Sequence, residues 1–118
     1  MNESCEYNYA DISNLDEYIL ELLPSMLDAF ADKTTGFGDE FENIDTWKSM
    51  VRNIADKLRR ASLKYNEDLE NTLLWKYKGH EISKKEYFEG LEAIECERNK
   101  NLKEGFDLLL RYFRRLWF

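Results

Sequence analysis

The sequence predicts an all-α protein, an irregular helical bundle with one long C-terminal helix. Three observations carry this. Five Gly and one Pro in 118 residues leave few break points. Apolar residues recur at three- and four-residue steps along most of the chain. The periodic stretches open on residue types that cap helices. A 43% apolar content supplies one core, and the length fits a single domain over 1–118.

Residues 1–10 are largely polar and are expected to be loosely ordered, with Tyr7 and Tyr9 as a strap or short edge strand. The first helix is expected over 12–30. It starts from Asp11, Ser13 or Asn14, and Asn14 with Glu17 fits a capping box. Leu15, Tyr18, Ile19, Leu22, Leu23, Met26, Leu27 and Phe30 form its apolar stripe. Pro24 interrupts that stripe and predicts a kink or a tight offset.

Residues 31–45 read as irregular. The Gly36-Phe37-Gly38 step allows a tight turn, with Phe37 and Phe41 plugging the end of a helix pair. A second helix is expected over 46–64, capped by Asp45. Its apolar face is Trp47, Met50, Val51, Ile54, Ala55 and Leu58, and its polar face carries Lys48, Arg52, Lys57, Arg59, Arg60 and Lys64.

The rhythm of Leu69, Leu73, Leu74 and Tyr77 predicts helix over 66–78, either separate or continuing the one before. Gly79 suits the residue after its C-terminus. The last helix is expected over 83–116, from a Ser83/Glu86 capping box with Ile82 and Tyr87 as a hydrophobic staple. Glu95 and Arg98 fall near its apolar side, where the core thins or an ion pair forms.

The expected core is Leu22, Phe30, Trp47, Ile54, Leu58, Leu91, Leu102, Phe106, Leu109 and Phe113. A buried Phe106 cut to Ala would cost about 3–5 kcal/mol. Neither the first nor the second helix alone covers the last one. Either residues 1–30 and 46–78 cover it in cis, or a homodimer does so through the end bearing Trp117 and Phe118.

Net charge is −7, so duplex DNA is not an expected partner. Residues 1–47 hold 12 acidic side chains and one basic, net −11, and residues 48–118 hold 12 acidic and 16 basic, net +4. Either the acidic segment folds over the basic one, or it stays open as an acidic face for a partner. Cys5 and Cys96 match no zinc or redox spacing. No apolar run approaches a membrane span.

No motif carries catalysis. His80, the one histidine, stands at a helix boundary beside Ser83, which already serves as a cap. Asp39, Glu40, Glu42 and Asp45 depart from the calcium-loop spacing, and no Glu-x-x-His pair serves a di-metal bundle. The glycines at 36 and 38 are followed by acids, not by a phosphate-binding Lys-Ser or Lys-Thr. No catalytic residue, cofactor or metal is therefore expected, and the chain reads as a non-enzyme.

The residues expected to interact are Arg111, Tyr112, Arg114, Arg115, Trp117 and Phe118 at the C-terminus, rich in types that anchor interfaces. Asp39, Glu40 and Glu42 in the acidic loop join them.

Two stretches resemble known proteins. One runs from Gly38 through Asp45-x-Trp47 to Ile54-Ala55. The other is Lys103-Glu104-Gly105-Phe106-Asp107-Leu108, then Tyr112-Phe113-Arg114-Arg115-Leu116-Trp117. Together they resemble a family of small, acidic, uncharacterised proteins of tailed bacteriophages and prophages, which end in a Gly-containing helix followed by Tyr-Phe, two residues and Leu-Trp. The resemblance implies expression in the cytoplasm of a bacterial host and carries no catalytic residues. The expected function is then a phage accessory protein that binds a host protein, with an anti-defence (anti-CRISPR-like) inhibitor as its sharpest form. The alternatives are a nucleotide or small-molecule binder using the C-terminal arginines, and an assembly or replication accessory protein.

Overall fold

The computed structural model describes residues 14–37 and 41–117. Four α-helices follow one another: α1 (Leu15–Lys33), α2 (Ile44–Arg60), α3 (Glu67–Lys78) and α4 (Lys84–Tyr112). Short 3-10 turns occupy Lys64–Asn66 and Phe113–Arg115. The protein is all-α among the described residues, with the longest helix at the C-terminal end. The expected strap at Tyr7 and Tyr9 lies outside the described residues.

Alpha2 starts two residues earlier than expected. Asn43, not Asp45, is its cap, and its side-chain oxygen accepts from the Thr46 amide at 2.9 Å. The capping box of α4 forms as expected: Ser83 Oγ accepts from the Glu86 amide, and the Glu86 carboxylate accepts from the Ser83 amide. The equivalent box at α1 does not form, as Asn14 makes no side-chain cap bond. Pro24 lies inside a helix that continues unbroken to Lys33, with its ring fully buried.

Alpha2 stops at Arg60, so α2 and α3 are separate helices. Asn66 holds the turn between them. Its buried amide donates to the carbonyls of Arg60 at 3.3 Å and Ser62 at 3.2 Å. Ser62 Oγ accepts from the Tyr65 amide, and Glu17 reaches across from α1 to accept from the Leu63 amide at 3.0 Å. The turn replaces lost helical bonds with side-chain ones.

At the end of α3 the register of the turn is one residue off the expected one. Gly79 keeps a negative φ of −85°, and His80 takes the left-handed conformation at φ 61°. The Glu81 amide bonds the Lys76 carbonyl and the His80 amide bonds that of Tyr77, the paired bonds of a Schellman turn.

Packing divides the molecule in two. Alpha1 runs antiparallel to α2, with Phe30 edge-on to Trp47 at one end and Glu17 on Leu63 at the other. Alpha2 runs antiparallel to α4, with Trp47 against Tyr112 and Lys57 paired to Glu104. These three helices form a head. Trp47, Val51, Ile54, Ala55 and Leu58 of α2 are wholly excluded from solvent at its centre.

Alpha3 then pairs with the N-terminal half of α4 as a two-helix arm. Tyr77 stacks on Tyr87 at 4.8 Å, and Glu70 bonds Arg98. No residue of α3 is buried, and the buried residues of α4 (Asn101, Gly105, Leu109) all lie in its C-terminal half. The extents of 55 × 46 × 20 Å and the radius of gyration of 18.4 Å reflect this projection. A compact chain of this length would have a radius near 14 Å. Alpha2 and α3 thus lie end to end along α4.

Four expected core residues are not core, Leu91 among them, half-buried in the arm and outside the core cluster. Leu22 is 43% exposed, Phe106 38% and Phe113 59%. The cause is the phase of α1 and α4. Alpha1 buries Leu20, Pro24, Leu27 and Ala31 against α2 instead. Small Ala31 permits close approach there. Asp28 and Asp32 flank that face and meet Arg59 and Arg52, each at 2.7 Å. Of the two expected plugs, Phe41 is buried against Trp47 and Tyr112 while Phe37 is 45% exposed.

Candidate functional site: an open groove between α1 and α4

Both α1 and α4 rest on α2. Leu15, Ile19 and Met26 of α1 are exposed, as are Phe106 and Leu110 of α4 and Phe113 in the turn after it, while exposed Tyr18 and Leu22 line a separate hollow with Glu21 and Ser25. A helix with apolar residues on most of its circumference has more face than one neighbour can bury. Ile19 and Met26 are seven residues apart and share a face of α1. On α4, Leu110 stands one turn from Phe106.

At one end the two stripes meet in a cavity of about 450 Å³. Leu20, Ala61 and Leu102 line it, with Ile19, Leu63 and Phe106 beside them and Asp16, Glu17, Glu95 and Arg98 among its polar residues. Arg98 settles the reading of residues 95 and 98: it forms ion pairs with both Glu70 and Glu95 and is 11% exposed. Its charge is thereby matched, though its Nε is buried without a partner. Asp16 and Glu17 carry no ion pair among the described residues, so the mouth is acidic.

A second cavity, of about 480 Å³, lies on the other side of Glu17 and Leu20. Arg59, Lys64 and Tyr65 line it, together with the carboxylates of Glu17 and Glu21. Those carboxylates oppose a polyphosphate beside the cations.

The expected C-terminal cluster divides by role. Tyr112 is half-buried, its ring 5.4 Å from Phe41 and 6.0 Å from Trp47, so it closes the head. The Arg111 guanidinium lies 5.4 Å over that ring, and Arg114 and Arg115 are exposed. Trp117 is 61% exposed, yet its ring rests on Gly36 and its carbonyl accepts from the Thr34 hydroxyl at 3.5 Å. Glu42 is exposed beside buried Phe41, at the same end of the head. Asp39, Glu40 and Phe118 lie outside the described residues.

The sequence shows the groove residues of α1 as an apolar stripe, and such a stripe reads as core. The signal for a groove is the breadth of that stripe, which exceeds a single contact face. Among the described residues no group of three or more His, Cys, Asp or Glu side chains could hold a metal ion. Lys103 has its ammonium pKa raised by its hydrogen bond to Asp107 and their attraction, and it lies outside the groove lining. Among the described residues no helix is long and apolar enough to cross a membrane. No protein-family model matches the chain, and neither does any curated protein or solved structure.

Proposed function

We propose that this chain is a binding protein, a phage accessory protein that acts on a bacterial host protein in the host cytoplasm, inhibition of a defence component being its sharpest form. The apolar groove of the head is the observation that supports binding. Exposed Ile19 and Phe106 stand at the mouth of the cavity between α1 and α4, over Leu20, Ala61 and Leu102. Contiguous apolar surface of this kind marks interaction sites. The phage setting rests on the resemblance of the closing Tyr112-Phe113-Arg114-Arg115-Leu116-Trp117 segment. Self-association is the competing use of the same surface.

The test is capture from bacterial lysates on immobilised protein, wild type beside an Ile19→Asp/Phe106→Asp variant. A host protein retained by wild type and lost by the variant is the expected result. Identical recoveries on both would sink the proposal. Light scattering on the same two proteins would return a mass near twice 14.2 kDa for wild type alone if copies of the chain fill the surface.

A further inference from the structure

We propose that the cavity between α1 and α4 binds a small organic amine: an ammonium head on an aliphatic stem, the stem on Leu20 and Leu102 and the head held by Asp16 and Glu17. The proposal goes beyond the binding reading above, because it concerns a free ligand inside the cavity and not a protein at its mouth.

The first observation is the floor. Buried Leu20 and Ala61 and half-buried Leu102 line a cavity of about 450 Å³. Small-ligand sites run from about 300 to 1,000 Å³, with apolar walls and a few polar groups. An apolar floor offers no oxygen to a bare metal ion, and among the described residues no group of three or more His, Cys, Asp or Glu side chains could hold one. The floor therefore calls for a ligand with a hydrocarbon part.

The second observation is charge. The lining sets the carboxylates of Asp16, Glu17 and Glu95 against a single guanidinium, that of Arg98, and so carries a net −2. Arg98 is not free for an anion. One of its terminal nitrogens donates to Glu95 and the other to Glu70. Glu95 is occupied in turn, because its other oxygen accepts from the Asn99 amide group at 3.3 Å.

The third observation is which acceptors remain. Asp16 has neither an ion pair nor a side-chain hydrogen bond among the described residues, and Glu17 accepts from the Leu63 amide through one oxygen alone. A carboxylate accepts through both oxygens, and an ammonium brings three donors and stays charged at neutral pH. The other large cavity of the head lacks this bias. There Arg59 and Lys64 balance Glu17 and Glu21, so neither sign of ligand is favoured.

The experiment is isothermal titration calorimetry on the full chain at neutral pH, with probes kept below micelle-forming concentrations. Octylammonium, octanol and octanoate share one stem and differ in the charge of the head. Octylammonium is expected to bind at one site, octanol about tenfold more weakly and octanoate more weakly still. Methylammonium, which lacks the stem, is expected to give no heat of binding. Raised salt is expected to narrow the gap between octylammonium and octanol.

Asp16→Asn with Glu17→Gln, which keeps an acceptor for the Leu63 amide, is expected to bring octylammonium down to the level of octanol and to leave octanol unchanged. Phe106→Gln, at the exposed mouth, is expected to weaken both probes by the same factor with the circular dichroism melt unchanged. Octanol or octanoate binding as tightly as octylammonium overturns the proposal. So does undiminished octylammonium binding by the folded Asp16→Asn/Glu17→Gln variant, or no heat with folded wild type. Methylammonium binding as tightly as octylammonium reduces the site to a surface ion pair and overturns it too. A flat octylammonium titration beside host-protein capture that the Ile19→Asp/Phe106→Asp variant loses rejects the amine and leaves the binding reading standing. Amine binding beside identical recoveries rejects the binding reading alone.

Discussion

The head and the arm use the same long helix in two ways. In the head, α4 meets α2 across Gly105, where an added Cβ would lie 2.6 Å from Leu58 Cδ2 and 3.4 Å from the Leu58 backbone nitrogen. Leu58 is fully buried and has nowhere to go. In the arm, α4 meets α3 across Gly90, where an added Cβ would lie 2.9 Å from Leu73 Cδ1. Leu73 is only half-buried, on a helix with no buried residue. The two glycines look alike in sequence and stand on nearly the same face, but one contact is locked by a core and the other can yield. What differs is the number of neighbours. The head surrounds its contact with a third helix, and the arm leaves both helices open on their outer sides.

The largest effect that would sharpen this comparison is at the head's centre. Trp47 is fully buried among Phe30, Phe41 and Tyr112. Trp47→Ala should cost about 3–5 kcal/mol in urea unfolding. A loss below about 1 kcal/mol would mean that the head is not the stable part.

Next comes the glycine pair. Gly105→Ala should cost about 1–3 kcal/mol through overpacking against Leu58. Gly90→Ala should change stability by less than about 1 kcal/mol, because Leu73 can move and Ala is the better helix former by about that amount. Equal costs at the two sites would break the distinction.

Asn66→Ala removes the amide that serves the Arg60 and Ser62 carbonyls. It should cost about 1–3 kcal/mol. It should also loosen the joint between head and arm, visible as faster amide exchange at Tyr65 and Asn66. Unchanged exchange would count against a joint held by this side chain.

The smallest effect is at the arm's tip. His80→Gly removes a side chain from a left-handed position, where a non-glycine residue costs roughly 1–2 kcal/mol. Part of that gain is offset by the greater freedom of glycine in the unfolded chain. A rise of a few tenths of a kcal/mol is expected, and a loss would show that the His80 ring makes a stabilising contact.

Much of this protein was determined by its sequence alone. Helix identity follows from local chemistry: the Ser83/Glu86 box, the three- and four-residue apolar steps and the shortage of Gly and Pro act within a turn or two. The buried face of α2 was legible because its apolar residues form one stripe opposite a row of Lys and Arg, so only one side can face inward.

The tertiary structure decided what local chemistry leaves degenerate. Alpha1 is apolar on most of its circumference, and the face that goes inward is the one that sets Leu20, Pro24, Leu27 and Ala31 on α2, with Asp28 and Asp32 beside it meeting Arg59 and Arg52. That choice turned Leu22 outward, away from the cavity that Ile19 shares with α4. Whether α2 and α3 were one helix depended on Asn66 and on Glu17, which reaches Leu63 from 46 residues away. Helix propensity extends over neighbouring residues, whereas the outward face of a helix is settled by partners that the sequence places far along the chain.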